Sequence, residues 1–284
     1  MKKIIVTGCN GQLGKAVGEY YKDSSEFELI NTDVEDLDIT DVSAVVDFVK
    51  KVSPYAIINC AAYTNVNGCE SAEDLAYKIN AIGPRNLSIA SKLTDSKLVH
   101  ISTDYVFAGD SKEPYREFDP VCPQSMYGCT KLAGEEFVRA FAEKYFIIRT
   151  AWLYGDGKNF VKTMINAAQT HDTVSVVMDQ IGSPTSATEL AKAIGVLVPT
   201  DNYGLFHGTC EGTCSWAEFT EEFYRLAGIT AKVKHITTDE YPTPAKRPAY
   251  SVLDNYMFSL TTDFRFAHWK DAIKEYMDSG LWKN

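Results

Sequence analysis

A short β-branched run at residues 3–7 stops at Gly8, and glycine returns at Gly11 and Gly14 as a helical pattern opens. A strand, a glycine turn and a helix in that order predict a dinucleotide-binding βαβ unit. Gly8 permits the tight turn, Gly11 lets a pyrophosphate approach the backbone, and Gly14 allows close packing of helix on strand. The helix start, at Gln12 and Leu13, offers unpaired N–H groups and a positive dipole end to phosphates. Glycine spacing alone is a weak signal, and its place inside a βαβ unit gives it weight.

The pattern that follows keeps this rhythm. Leu13, Val17, Tyr20 and Tyr21 fit one helical face. A second strand is expected near 27–30. A helix is marked by Val42, Val45, Val46, Val49 and Val52, with Thr40 as its N-cap. The runs at 56–60, 98–102 and 146–149 are almost continuously apolar, as in strands buried on both faces of a parallel sheet. Beyond Trp152 the rhythm loosens into turns, short helices and short strands. The expected fold class is α/β, a doubly wound Rossmann-type parallel sheet with a smaller α+β substrate-binding domain. Residues 1–152 are expected to form the NAD(P)-binding part, with 186–209 rejoining it. Residues 153–185 and 210–284 are expected to form the smaller domain.

Composition narrows the partners. A length of 284 residues allows about two domains, and 45% hydrophobic with 23% charged residues argues against disorder. A net charge of −10 disfavours nucleic acid or an anionic membrane as partner. No apolar run reaches bilayer length. Ile4-Ile5-Val6 is too short for a secretory h-region, so a cytoplasmic protein is expected. The seven cysteines include no Cys-x-x-Cys pair, and Cys210 and Cys214 lack zinc-spaced companions. Reduced thiols and no metal site are expected.

Asp33 stands at the end of the second strand, where a carboxylate can accept the adenosine ribose hydroxyls. That arrangement favours NADH over NADPH. Asp38 and Ile39 begin the next loop and could flank the adenine. Further along, Tyr127 and Lys131 are i and i+4 neighbours on a predicted helix. A nearby ammonium is expected to lower the phenol's pKa and prepare it for proton transfer. Thr103 ends a predicted central strand, where open α/β sheets bind ligands. Its hydroxyl could meet a carbonyl oxygen together with Tyr127.

Taken together, the glycine loop, Asn59-Cys60-Ala61-Ala62-Tyr63, Ser102-Thr103-Asp104-Tyr105 and Tyr127-x-x-x-Lys131 resemble the extended short-chain dehydrogenase/reductases. Val106-Phe107-Ala108-Gly109, the stretch from Arg149 to Gly155, the stretch from Asp179 to Thr185, and Arg247-Pro248 resemble its dTDP-4-dehydrorhamnose reductase family, over nearly the whole chain. The resemblance implies hydride transfer from NADH or NADPH to C4 of a dTDP-4-keto sugar. It implies Tyr127 as proton donor, Lys131 at the nicotinamide ribose and Thr103 at the carbonyl. Gly11, Gln12, Leu13, Asp33, Asp38, Ile39, Ala61, Ala62 and Tyr63 carry over as cofactor contacts. Asp104, Tyr105, Val66 and Trp152 carry over as sugar-pocket residues.

The second acid that related dehydratases carry is replaced here by Tyr105, which favours plain carbonyl reduction. Asn67 stands where the family usually has Asp. Lys15 and Ala16 follow Gly14 where a metal-binding glutamate would be expected, so no metal is carried over. Arg247, with Lys246 beside it, is the leading cation for the substrate diphosphate, and Lys158 and Lys162 are weaker candidates. Reduction of another dTDP-4-keto-6-deoxysugar and a non-catalytic nucleotide-binding subunit are the competing readings. A monomer or a homodimer is expected.

Overall fold

The computed structural model describes residues 1–283. The chain begins with β1 (Lys2–Thr7), α1 (Gln12–Tyr21), β2 (Phe27–Thr32), α2 (Val42–Val52) and β3 (Ala56–Asn59). Two short helices, α3 (Val66–Cys69) and α4 (Glu73–Tyr77), lead through a π-helical turn (Lys78–Ile82) into α5 (Gly83–Leu93). Then come β4 (Lys97–Thr103), α6 (Met126–Phe141) and β5 (Tyr145–Thr150). The remainder carries β6 (Leu153–Tyr154), α7 (Phe160–Ala168), β7 (Thr173–Val177), β8 (Ile181–Gly182) and β9 (Thr185–Ser186). It closes with α8 (Ala187–Leu197), β10 (Gly204–His207), β11 (Cys214–Ser215), α9 (Trp216–Ala227), β12 (Lys232–Ile236), α10 (Tyr256–Thr261) and α11 (Trp269–Ser279).

Six of these strands form one parallel sheet, ordered β2-β1-β3-β4-β5-β10. The doubly wound parallel sheet expected from the apolar runs is therefore present. Alternate residues of each strand feed opposite faces. Ile4, Val6, Ile58, Phe146 and Ile148 pack under α1 and α8, against Val17, Leu190 and Ile194. Ile5, Ile57, Leu98 and Ile147 pack under α2, α5 and α6, against Val45, Val49, Leu87 and Val138. Burial on both sides explains why these strands read as continuous apolar runs. The strand order turns round between β1 and β3, so a crevice opens at their carboxyl ends.

Local details depart from the sequence pattern in three places. The N-cap of α2 is Asp41, which accepts the N–H groups of Ser43 and Ala44, not Thr40. Tyr20 is half exposed rather than core, its ring lying over Gly195 of α8. The C-terminal region also divides. Tyr154, Phe219, Phe223, Trp269 and Ile273 build a second core, whereas Phe258, Phe264 and Phe266 return to the core under the main sheet. Among the described residues no helix is long and apolar enough to cross a membrane.

Candidate active site

The crevice leads into a cavity of about 590 Å³ between the carboxyl ends of the strands and the second core. Its floor is the glycine loop. Gly8 has φ +63°, and a Cβ there would lie 2.8 Å from the backbone of Ala61. A side chain would therefore both strain the turn and push β1 away from β3. Asn59 ties the two strand ends together: its Oδ1 accepts from Thr7 Oγ1 (2.7 Å) and from the Ala61 N–H (3.2 Å).

The loop fits a dinucleotide. The N-cap of α1 is Gly11, so no side chain caps the helix, and the first turn holds no acidic residue. The N–H groups of that turn are left to meet a pyrophosphate. Gln12 Oε1 is buried with no hydrogen-bond partner. Asp33 lies beside this loop, one oxygen accepting the N–H of Asn10 (3.0 Å) and the other that of Val34 (2.9 Å).

The opposite wall comes from β4 and α6. Ser125 caps α6 through the N–H of Gly128 (3.3 Å). A Cβ at Gly128 would run into the carbonyl oxygen of Tyr105, so glycine lets α6 lie against the turn that follows β4. This close approach brings Tyr127 beside Thr103 and sets its ring edge-on to Tyr105, centroids 5.5 Å apart. Lys131 sits one turn further on and is buried, donating from Nζ to the Ile101 carbonyl (2.5 Å).

The electrostatics differ from the sequence expectation. Burial pushes the Tyr127 phenol well above its ordinary value; Asp104 adds to that, and the Thr103 hydroxyl opposes it. Burial pushes Lys131 down to about 8. The ammonium faces a backbone carbonyl, so the phenol is an acid that stays protonated at neutral pH, not one already lowered by its lysine. Asp104 is buried as well, and desolvation raises it to about 6 against its hydrogen bonds.

Of the residues singled out in the sequence, Gly11, Gln12, Leu13, Ala61, Ala62, Val66, Thr103, Asp104, Tyr105, Tyr127, Lys131 and Trp152 line this cavity. Gly8 and Gly14 lie beneath the loop and shape it. The Ile39 side chain is buried in the core under Gly83, and its carbonyl accepts from Asn86 Nδ2 (3.0 Å). Asp38 is exposed and accepts the N–H of Thr40 (2.9 Å). Tyr63 is anchored rather than exposed to the cavity, its N–H donating to Asn80 Oδ1 (2.8 Å).

Arg247 lines a neighbouring cavity of about 430 Å³ that shares Tyr105 and Trp216 with the first. It donates to Tyr105 Oη (2.8 Å) and to Asn67 Oδ1 (3.0 Å). Lys158 lines the first cavity, and Lys162 stands 3.8 Å from Asp156. Lys246 reaches Gln124 at 3.4 Å.

Sequence reading missed two contributors. Trp216 lies flat on Trp152 and lines both cavities. Asn80, in the π-helical turn, donates to Tyr63 O (3.1 Å) and Thr130 Oγ1 (3.1 Å), so it pins the 61–63 loop to α6. A π-turn inside a helical run is a recurrent mark of functional sites, but no residue pattern announces it here.

A parallel sheet that opens at its turning point onto a tyrosine–lysine helix is built to exchange hydride with a bound nicotinamide, as in the extended short-chain dehydrogenase/reductases. Within that class the chain belongs to the RmlD substrate binding domain family, whose model matches residues 1–281. A solved dTDP-4-dehydrorhamnose reductase from Clostridium acetobutylicum ATCC 824 is 55% identical, with a TM-score of 0.96 over 98% of this chain and 99% of its own. A dTDP-4-dehydrorhamnose reductase from Bacillus anthracis str. Ames, solved in complex with NADP, is 43% identical, with a TM-score of 0.96 over 98% of this chain and 100% of its own. The spore coat polysaccharide biosynthesis protein SpsK of Bacillus subtilis (strain 168) is 39% identical over 98% of this chain and 97% of its own.

Proposed function

We propose that this chain uses NADH or NADPH to reduce the C4 ketone of dTDP-4-dehydro-L-rhamnose, giving dTDP-L-rhamnose. The observation that carries the reading is the meeting of Thr103, Tyr127 and Lys131 in one cavity across from an uncapped glycine-loop helix. A subunit that only bound nucleotide would have no use for all three side chains. When bound, the reduced nicotinamide supplies the hydride. Gln12, Leu13, Ala61 and Ala62 hold the cofactor along the loop, and Asp33 takes the adenosine ribose. Tyr127 delivers a proton to the oxygen that becomes the C4 alkoxide. Lys131 orients the nicotinamide ribose, and Thr103 faces the same C4 oxygen.

The sugar fits between Val66, Tyr105 and Trp152. The nucleotide end extends into the adjoining cavity, where Arg247 meets the diphosphate by charge and paired N–H donors. A cytoplasmic location goes with this chemistry and with free thiols among the described residues. The enzyme acts as a monomer or a homodimer.

The test is direct. The protein is incubated with NADH or NADPH and enzymatically prepared dTDP-4-dehydrorhamnose, absorbance at the nicotinamide band is followed, and the product sugar is analysed. Cofactor oxidation yielding dTDP-L-rhamnose is expected. A different C4 epimer would move the assignment to another dTDP-4-keto-6-deoxysugar, and no oxidation would reject the reductase.

A further inference from the structure

Thr103 has one hydroxyl proton, and an ionised Asp104 takes it, because a carboxylate only accepts. Thr103 Oγ1 donates to Asp104 Oδ1 at 2.8 Å and accepts the Tyr105 N–H at 3.2 Å. Its remaining lone pair faces the cavity beside the Tyr127 hydroxyl, to which it is hydrogen-bonded. A ketone oxygen also presents only lone pairs, so Thr103 in this state repels the group it is meant to polarise. An alcohol at C4 carries its own proton and meets the lone pair well.

We propose that Asp104 is a positioning residue whose protonation reverses the Thr103 hydroxyl, so that the site takes ketone when the carboxyl carries a proton and alcohol when it does not. The proposal rests on the ketoreductase reading above. With its proton on, Asp104 donates to Thr103 Oγ1, and the Thr103 O–H turns to the C4 oxygen. Tyr127 and Thr103 then both donate to the ketone as charge develops on its oxygen. No bond to carbon is made or broken in this step; one proton is taken from solvent when ketone binds and is returned when alcohol forms.

The surroundings suit this role. Asp104 is almost fully buried, and desolvation brings its titration to about 6, within reach of physiological pH. The groups facing the carboxyl are Thr103 and Tyr105 on its own segment, Tyr127 from α6 and Ser251 from the loop before α10. The nearby guanidinium of Arg247 is bonded to the hydroxyl of Tyr105. Lys131, at about 8, titrates separately.

The rate of oxidation of bound NADH by dTDP-4-keto sugar kept well below saturation, measured from pH 5.5 to 7.5, tests the proposal. In the wild type the rate should fall about twentyfold across that range, following loss of one proton from a group near 6. Asp104→Asn should flatten the fall to under about threefold, because its carboxamide N–H can donate to Thr103 Oγ1 at every pH. Asp104→Ala should flatten it too. A fall of wild-type steepness in either variant that still binds NADH overturns the proposal. The wild type gives a second reading that needs no variant. At pH 7.5, calorimetry in buffers of different ionisation enthalpy should show close to one proton taken up as the keto sugar binds the oxidised-cofactor complex. Zero uptake also overturns it. A wild type that oxidises no NADH at any pH defeats the ketoreductase reading itself, and this inference with it.

Discussion

Trp152 lies flat against Trp216, with ring centroids 3.5 Å apart and planes 7° from parallel. Gly182 also lies against the Trp152 ring, where a Cβ would fall 2.5 Å from Cε2. Trp152 also holds φ +50°, a conformation that costs a bulky residue about 1–3 kcal/mol. Stacking of the two indoles, worth about 0.5–1.5 kcal/mol beyond area burial, offsets part of that cost. The second lobe thus holds one wall of the cavity in a fixed pose.

Gly182→Ala tests that wall. The backbone of Gly182 is paired with Cys214, so the methyl group must displace the indole. Overpacking of this kind costs about 1–3 kcal/mol. We expect KM for the keto sugar to rise about tenfold or more, with KM for NADH little changed, in steady-state kinetics. An unchanged sugar KM would remove Trp152 from the pocket.

Tyr127→Phe removes the proposed acid and keeps the ring that packs on Tyr105. The expected loss in kcat is about 10²–10⁴-fold, with NADH affinity, read by fluorescence titration, unaltered. Turnover close to wild type would reassign the proton donor.

Arg247 and Asn67 make a paired prediction. The partners of this guanidinium are the Tyr105 hydroxyl at 2.8 Å and a neutral amide, Asn67, at 3.0 Å, so neither cancels its charge. Asn67→Asp would place a carboxylate against it and raise the sugar-nucleotide KM in the same direction as Arg247→Ala. The Arg247→Lys variant should recover only part of the loss, because an ammonium lacks the planar fork. If both Asn67→Asp and Arg247→Ala leave KM where it was, the diphosphate lies elsewhere.

His207 sets an acid limit on stability. Burial, with the charge of Arg149 behind it, pushes the imidazole down to about 3. Its Nδ1 faces the carbonyls of Tyr115 (3.1 Å) and Asp254 (3.2 Å). An unfolded histidine titrates near 6.5. Between those two values the unfolded chain binds a proton that the folded chain does not, so stability falls as pH drops from about 6.5 toward 3. Urea midpoints measured over that range should fall less steeply in His207→Asn, which keeps an N–H for the carbonyls and does not titrate. Parallel slopes would show that other groups govern the acid limb.

The sheet was legible because burial on both faces writes itself into β1, β3, β4 and β5 as nearly continuous apolar runs. The site was legible where chemistry demands a residue type at fixed spacing: the glycine loop, Thr103, and Tyr127 with Lys131. What escaped depends on contacts between distant segments. Trp216 looks like any helix-start aromatic until the fold lays it on Trp152. Asn80 matters because a π-turn aims its amide at Tyr63 and Thr130. Burial of the Ile39 side chain was not legible, because the space under Gly83 exists only once α5 has packed. The phenol's raised pKa was hidden for a similar reason: i, i+4 spacing fixes neighbours on a helix, but not how deeply Tyr127 would be buried.

The return of Phe258, Phe264 and Phe266 to the core beneath β10 has a consequence for synthesis. The sheet's first strand is made almost at once, yet the underside of the sheet is not covered until α8 has been made and, beneath β10, until residue 266 has left the ribosome. A nascent chain of this protein carries an unfinished hydrophobic face for most of its translation, and a chaperone that shields such surfaces would meet it there.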